Sequence, residues 1–357
     1  MIKEAIAAIV EEQRDLTEAE AFSVMSEIMR SGRDPALGEE GERATEAQFG
    51  AFVTALRMKG ESVDEITGMA RAMRSAALRV DIAARPLLDT AGTGGSRKKK
   101  FNASTAAAFV AAAAGATVAK HGNRAASSQS GSADLLEALG ATITLSPAQV
   151  VECVRRCGIG FMFAQTMHPA MKFAGPLRPQ LGIRTVFNIL GPLTNPAGAN
   201  CHVMGVAGPA LAEKLAGVMA RLEMRHALVV CGSDGLDDIT VTGPTDVWEV
   251  RANGVTHSTV TPASLGVGTY APEEIVGGTP QENAKLLREV FGGAGPPAVR
   301  DLVAANAGAA LYVTGLASSI RQGVEMAFET IRSGDAAARV GAFVEATRRV
   351  AAEVPAR

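Results

Sequence analysis

Three stretches of the chain combine residue types and spacings that could do chemistry. The first is Leu88-Asp89-Thr90-Ala91-Gly92-Thr93-Gly94-Gly95-Ser96, continuing through Lys98-Lys99-Lys100-Phe101-Asn102-Ala103-Ser104-Thr105 into the alanine-rich run 106–114. Gly92, Gly94 and Gly95 let the backbone turn sharply and lie against a ligand with no Cβ in the way. Asn102, Ser104 and Thr105 are good helix N-cap residues, and the alanine run is strongly helix-forming. Loop amides, cap hydroxyls and the positive end of a helix dipole converge there, which suits a phosphate. An ordinary glycine turn ahead of a buried helix would read the same way. The spacing is neither G-x-x-x-x-G-K-[ST] nor G-x-G-x-x-G, because Arg97 stands at the last glycine position.

The second stretch is Lys120-His121-Gly122-Asn123-Arg124, followed by Ser127, Ser128, Ser130, Ser132 and Asp134. Two fixed cations, four serines, an amide and exposed glycine backbone ahead of a helix start are what a pyrophosphate needs. The bland alternative is a polar surface loop. The third stretch is Asp237-Asp238. In extended backbone, neighbouring carboxylates point to opposite sides, so each could reach one of two ions. Mg²⁺ suits such a pair, because it takes one or two carboxylates plus phosphate oxygens and keeps several waters. Acidic pairs are also common in plain turns.

Other candidates carry less weight. Lys98-Lys99-Lys100 is a phosphate contact, a nucleic-acid contact or a solvated patch. His121 could act as a base or hold a substrate by hydrogen bonding. His168, His202, His226 and His257 read as structural or exposed. Arg178 and Arg184 are candidate clamps for a carboxylate, which a guanidinium fork matches bidentately.

The elements that must position these residues fall into two kinds. Residues 1–79 read as helices only, with Ile2, Ile6 and Ile9 at helical spacing and helix starts at Thr17, Thr45 and Ser62. From Arg85 onward, short apolar strands alternate with helices. Strands are expected at 87–89, 117–119, 142–145, 159–163, 203–206 and 227–231, with helices at 133–139 and 147–157. A helical, proline-punctuated insert occupies 167–193, and residues 247–257 alternate around Asn253-Gly254 as a hairpin. Helices close the chain at 301–311, 318–332 and 336–352. Such alternation implies a mostly parallel sheet with helices on both faces and ligands beyond the strand carboxyl ends. The glycine loop and the Lys-His-Gly-Asn-Arg segment both fall at such ends.

The fold class is therefore α/β. The pattern places a small all-α unit over 1–79 ahead of the larger α/β part, which the helical insert interrupts. At 357 residues the chain is long enough for two domains, and its net charge of −2 gives no global field for nucleic acid. Four cysteines form neither a C-x-x-C pair nor a disulfide framework, and the five histidines suggest no zinc site. No segment reads as a signal peptide or a membrane span, so the expectation is a cytoplasmic protein.

Taken together, these stretches resemble the anthranilate phosphoribosyltransferases, the tryptophan-pathway members of the nucleoside phosphorylase-like phosphoribosyltransferases. The resemblance also rests on Leu181-Gly182-Ile183-Arg184-Thr185, on Phe187-Asn188-Ile189-Leu190-Gly191-Pro192-Leu193-Thr194-Asn195-Pro196 and on Gly235-Leu236-Asp237-Asp238. It implies transfer of the 5-phosphoribosyl group from phosphoribosyl pyrophosphate (PRPP) to anthranilate, with Mg²⁺, as two ions, for cofactor. It implies a small α-helical domain (1–79 with 167–193) hinged to a larger α/β domain (80–166 with 194–357), and a homodimer through the α domains. By resemblance, PRPP meets Gly92, Gly95, Ser96, Lys100, Asn102, Ser104, Thr105, Lys120, Asn123, Ser127, Ser128 and Ser132. Anthranilate meets Gly92, Asn123 and Arg178; Ser104, Asp237 and Asp238 place the metal; Lys120 and His121 are catalytic. The family commonly has aspartate where Ser96 stands, a small polar residue where Lys100 stands, and glutamate where Asp238 stands. Two rivals share the fold: a non-catalytic relative that binds nucleic acid, and a pyrimidine nucleoside phosphorylase.

Overall fold

The computed structural model describes residues 1–32, 41–96, 101–125 and 129–353. Helices α1 (Ile2–Val10), α2 (Glu18–Ser31), α3 (Glu46–Lys59) and α4 (Val63–Ala76) come first. Then follow β1 (Leu88–Gly92), α5 (Ala103–Ala113), β2 (Val118–Gly122), α6 (Ser132–Leu139), α7 (Pro147–Cys157) and β3 (Ile159–Phe163). The short helix α8 (Ala164–Met167) leads into the insert, which carries α9 (Ala174–Leu181) and α10 (Phe187–Leu190). Beyond it lie β4 (Cys201–Gly205), α11 (Pro209–Arg221), β5 (His226–Gly232), β6 (Thr245–Arg251) and β7 (Gly254–Val260). The remaining helices are α12 (Pro262–Leu265), α13 (Pro280–Phe291), α14 (Pro297–Thr314), α15 (Ile320–Arg332) and α16 (Asp335–Glu353).

The three helix starts expected from sequence are reciprocal capping boxes. The Thr17, Thr45 and Ser62 hydroxyls accept from the amides of Glu20, Gln48 and Glu65, whose side chains return the bond. Two of the orphan amides at each helix start are thereby satisfied. Glu65 is fully buried, and it also accepts from the Leu16 amide at 2.9 Å and pairs with Lys59 at 3.0 Å. The insert packs on this bundle: Phe49 lies 5.9 Å from Phe173 and 5.6 Å from Phe187, ring centre to ring centre. Ala170, Ala174 and Leu177 are buried in the same cluster.

The sheet runs β3-β2-β1-β4-β5-β6-β7; its first five strands are parallel, and β6 and β7 form the antiparallel hairpin expected around Asn253-Gly254. Side chains alternate between its faces. In β5, Leu228 and Val230 join the core that includes residues of α5 and α14, whereas Ala227, Val229 and Cys231 join the core that holds α11 and the N-terminal bundle. The bundle therefore leans on one face of the sheet near β4, β5 and β6.

One expected strand is not a strand. Residues 142–145 form no strand and pair with none in the sheet; the Leu145 amide donates to the Ile143 carbonyl at 3.1 Å. Their alternation buries Ile143 and Leu145 in the core shared with α7 and α16, and the Thr142 amide donates to Thr347 Oγ1 at 3.1 Å. The alternating pattern was met by helices rather than by a neighbouring strand. Among the described residues, no helix is long and apolar enough to cross a membrane.

Candidate active site

Because β1 and β2 are adjacent and parallel, the glycine loop and the Lys120 segment leave the sheet side by side. Asp89, fully buried in β1, stitches them: its Oδ1 accepts from the His121 amide at 3.2 Å, and its Oδ2 from Asn195 Nδ2 at 2.7 Å. Asn195 also donates to the Ala119 carbonyl at 2.8 Å. A buried carboxylate is tolerable only with such partners. The Lys120 ammonium is buried as well; it donates to the Thr90 carbonyl and lies 3.3 Å from Thr90 Oγ1. Thr90 in turn donates to the Ser104 carbonyl at 2.9 Å, joining β1 to the first turn of α5.

His121 lies at the centre of a buried histidine group. Its Nδ1 is 3.2 Å from the Gly191 carbonyl, an atom that only accepts, so Nδ1 carries the hydrogen and Nε2 is left as an acceptor. The His168 ring is 5.0 Å away. Burial, reinforced by His168, pushes the His121 pKa down to about 3, and burial holds His168 and His202 at about 4. All three imidazoles are therefore neutral at pH 7. Their Nε2 atoms are buried with no hydrogen-bond partner among the described residues.

The acidic loop folds over the ends of β1 and β4. A Cβ at Gly92 would overlap the Asp237 carboxylate, and one at Gly205 would overlap the Asp237 backbone carbonyl. Both glycines are needed for that close approach. Asp234 is committed to holding the loop, accepting from Thr240 and Thr242 at 2.8 and 2.6 Å. Asn306 of α14 clamps it from behind with bonds to both backbone groups of Ile239. Asp237 and Asp238 are buried in a bend, not in extended backbone. Among the described residues no three His, Cys, Asp or Glu side chains cluster as an all-protein metal cage. Two buried carboxylates without a cage are the donor set that fits Mg²⁺ completed by phosphate oxygens and water.

The other expected residues divide by what holds them. Asn102 is the N-cap of α5 but makes no side-chain cap bond; its amide donates to the Ser130 carbonyl at 3.0 Å, and its oxygen accepts from Asn283 at 2.8 Å. Tertiary partners have taken the group that sequence assigned to capping. Thr105 is buried in α5, whereas Ser104 and Ser132 are half-buried at the first turns of α5 and α6. Asn123 is exposed beside them, its carbonyl accepting from the Ala133 amide. Gly95 and Ser96 are half-buried in the loop. Lys100, Ser127 and Ser128, with Lys98 and Lys99, lie outside the described residues. Arg178 of α9 is half-buried over the Phe187 ring at 5.8 Å, and burial lowers its pKa. Arg184 does not sit free as a carboxylate clamp; it donates to the carbonyls of Thr93 and Gly94.

Asp89 and Asn195 stand in the motif stretches with no role assigned to them, and His168 and His202 read as structural or exposed from sequence. A charged residue inside an apolar strand was the available signal for Asp89. The histidines gave none. A separate cleft of about 720 Å³ between α6, α13 and α16, lined by Leu139, Leu287, Phe291 and Arg348, holds none of the expected residues.

The helical bundle domain of the glycosyl transferase family matches residues 3–77, and the a/b domain of that family matches residues 84–337. The bundle, the sheet and the loops at its strand ends thus define a two-domain glycosyltransferase. The anthranilate phosphoribosyltransferase of Rubrobacter xylanophilus is 50% identical over 336 residues, covering 94% of this chain and 95% of that protein. The crystal structure of the Thermus thermophilus anthranilate phosphoribosyltransferase matches with a TM-score of 0.88 at 42% identity, over 97% of this chain and 99% of that one. The Saccharomyces cerevisiae protein, solved in complex with PRPP and Mg, matches with a TM-score of 0.87 at 26% identity over 98% of each chain. This chain belongs to the anthranilate phosphoribosyltransferase family.

Proposed function

We infer that the chain transfers the 5-phosphoribosyl group from PRPP to anthranilate, releasing pyrophosphate, as the second step of tryptophan biosynthesis from chorismate. The observation that carries this reading is the juxtaposition at adjacent strand ends of the glycine loop, the buried Lys120 and the Asp237 carboxylate packed on Gly92. Departure of pyrophosphate from C1 of the ribose builds negative charge on the leaving group and cationic character on the sugar. Lys120, already desolvated, is placed to stabilise the first. Bound Mg²⁺ supplies further charge to the pyrophosphate, and Ser104, Asp237 and Asp238 are the residues assigned to hold it, as two ions.

PRPP is assigned to Gly92, Gly95, Ser96, Lys100, Asn102, Ser104, Thr105, Lys120, Asn123, Ser127, Ser128 and Ser132. Anthranilate is assigned to Gly92, Asn123 and Arg178. His121 is neutral, so it accepts a hydrogen bond through Nε2 rather than acting as a strong base. An aromatic amine needs little more, and positioning carries the larger share of the rate.

The domains are assigned as 1–79 with 167–193 for the small one and 80–166 with 194–357 for the larger one; burial of Ala170, Ala174 and Leu177 with the bundle supports placing the insert in the small domain. A homodimer through the small domain would cover the exposed Val10, Phe22 and Met58 of α1, α2 and α3, and light scattering tests it. The proposed compartment is the cytoplasm, which cell fractionation checks.

The deciding experiment follows anthranilate fluorescence in purified protein with PRPP and Mg²⁺. Steady loss requiring all three components supports the transferase. No loss, with salt-sensitive binding to single-stranded DNA, assigns the chain to non-catalytic relatives, and phosphorolysis of a pyrimidine nucleoside assigns it to the phosphorylases.

A further inference from the structure

Arg184 crosses from the helical insert to the glycine loop. Its Nη2 lies 3.4 Å from the Thr93 carbonyl and 3.4 Å from the Gly94 carbonyl, and donates to both. Gly94 and Gly95 have φ of +66° and +95°, a region that favours glycine. At Gly95 there is a second restriction, because an added Cβ would fall inside the Arg184 guanidinium. The guanidinium thus occupies one side of the loop and turns two successive carbonyls toward itself.

In a trans peptide the C=O and the following N–H point in opposite directions. Drawing the Thr93 and Gly94 carbonyls to Arg184 therefore turns the Gly94 and Gly95 amides to the other side of the loop. Neither amide donates a hydrogen bond among the described residues. Successive amides held on one side by positive-φ backbone form an anion-binding concavity. The loop's base is fixed independently, by the Thr93 amide bonding the Gly205 carbonyl at 2.9 Å.

We propose that Arg184 is a positioning residue that holds the Gly94 and Gly95 amides toward the pyrophosphate of PRPP without itself touching the anion. The proposal rests on the reading above, in which this loop meets PRPP. It gives Arg184 a role distinct from that of Arg178, although both lie in the insert. It also makes the loop's binding geometry depend on contact between the insert and the sheet.

The test measures Mg²⁺-pyrophosphate binding by calorimetry, beside KM for each substrate, in the full-length wild type, Arg184→Gln and Arg184→Lys. Arg184→Gln is expected to weaken pyrophosphate binding and raise the KM for PRPP about tenfold, the scale of one lost charge-assisted bond. KM for anthranilate should change less than about threefold, because Arg184 is assigned no contact with it. Arg184→Lys should fall between, since it keeps the charge and loses the planar multi-donor head. Gly95→Ala combined with Arg184→Gln should cost less than the product of the single effects, because the clash partner is gone. Arg184 is exposed, and an unchanged thermal midpoint confirms that the variants fold.

Unchanged pyrophosphate binding in Arg184→Gln, full recovery with lysine, strict additivity with Gly95→Ala, or a larger effect on anthranilate would each overturn the role. Pyrophosphate binding that depends on Arg184 in a wild type that does not consume anthranilate would leave the role standing and remove the transferase reading.

Discussion

Two buried histidines at opposite ends of the sheet show how structure and chemistry are separated in this molecule. His226, the first residue of β5, lies 2.8 Å from Glu249, which also accepts from Arg251 at 2.7 Å and from Tyr312 at 2.9 Å. The Tyr312 ring packs on it at 4.9 Å. Around Glu249 each donor has an acceptor, and the network joins β5, β6 and α14. His121, the penultimate residue of β2, has its amide and Nδ1 engaged, while Nε2 has no hydrogen-bond partner among the described residues. Leaving a polar atom buried and unsatisfied costs free energy that a satisfied network does not. His121 shares that cost with His168 and His202, whose Nε2 atoms are likewise buried without a hydrogen-bond partner among the described residues.

The comparison can be broken at either end. The largest effect is expected at Lys120: Lys120→Met should lower kcat/KM by about 10²–10³-fold, the scale for removing one preorganised charge stabiliser. Steady-state kinetics at an unchanged thermal midpoint would check it, and a small loss would make Lys120 a structural group like Glu249. Asp237→Asn should lower the magnesium affinity, raising the Mg²⁺ concentration for half-maximal rate by about 10–100-fold in a magnesium titration. An unaltered titration would mean that the acidic bend is only a turn. Arg178→Ala should raise the KM for anthranilate about tenfold with a smaller change for PRPP; equal effects would remove its assignment.

Acid titration sharpens the contrast further. His121, His168 and His202 have folded pKa values of about 3, 4 and 4, below the usual 6.5. The unfolded chain takes protons that the folded one refuses, so stability is fully present above about pH 6.5 and is lost as pH falls toward 4. Each group contributes a slope of up to about 1.4 kcal/mol per pH unit in that window. His202→Asn should make the pH dependence of the denaturation midpoint shallower between pH 4 and 6.5. The same pKa values mean that kcat/KM should show no step near pH 6.5 that His121→Asn abolishes. The smallest effect is expected at the satisfied pole: Glu249→Gln should cost about 1 kcal/mol in urea unfolding and leave both KM values unchanged.

How much of this could be read in advance depends on the range of the interaction. The starts at Thr17, Thr45 and Ser62 were legible because a capping box is closed within four residues. The same signature at Thr279-Pro280-Gln281-Glu282 opens α13. Residues 142–145 were misread because alternation reports burial on one side and not what does the burying. Asn102 kept its place as N-cap, but Ser130 and Asn283 determined what its side chain does. Arg184 was legible as a cation in the insert, but its direction was not, because that depends on where the loop after β1 passes.

By itself, the sequence determined the local parts: the capped helices, the glycines that permit a tight loop, the alternation of strands and helices, and the motifs that marked the family. Local preferences act over a few residues and are written in adjacent letters. The tertiary structure alone decided that Asp89 would bridge two strands, that His121, His168 and His202 would gather and lose their protons, and that Asp237 would press on Gly92. Those outcomes follow from strand order and burial. A pKa or an unpaired atom is a property of the surroundings, and the surroundings of each of these residues come from distant parts of the chain.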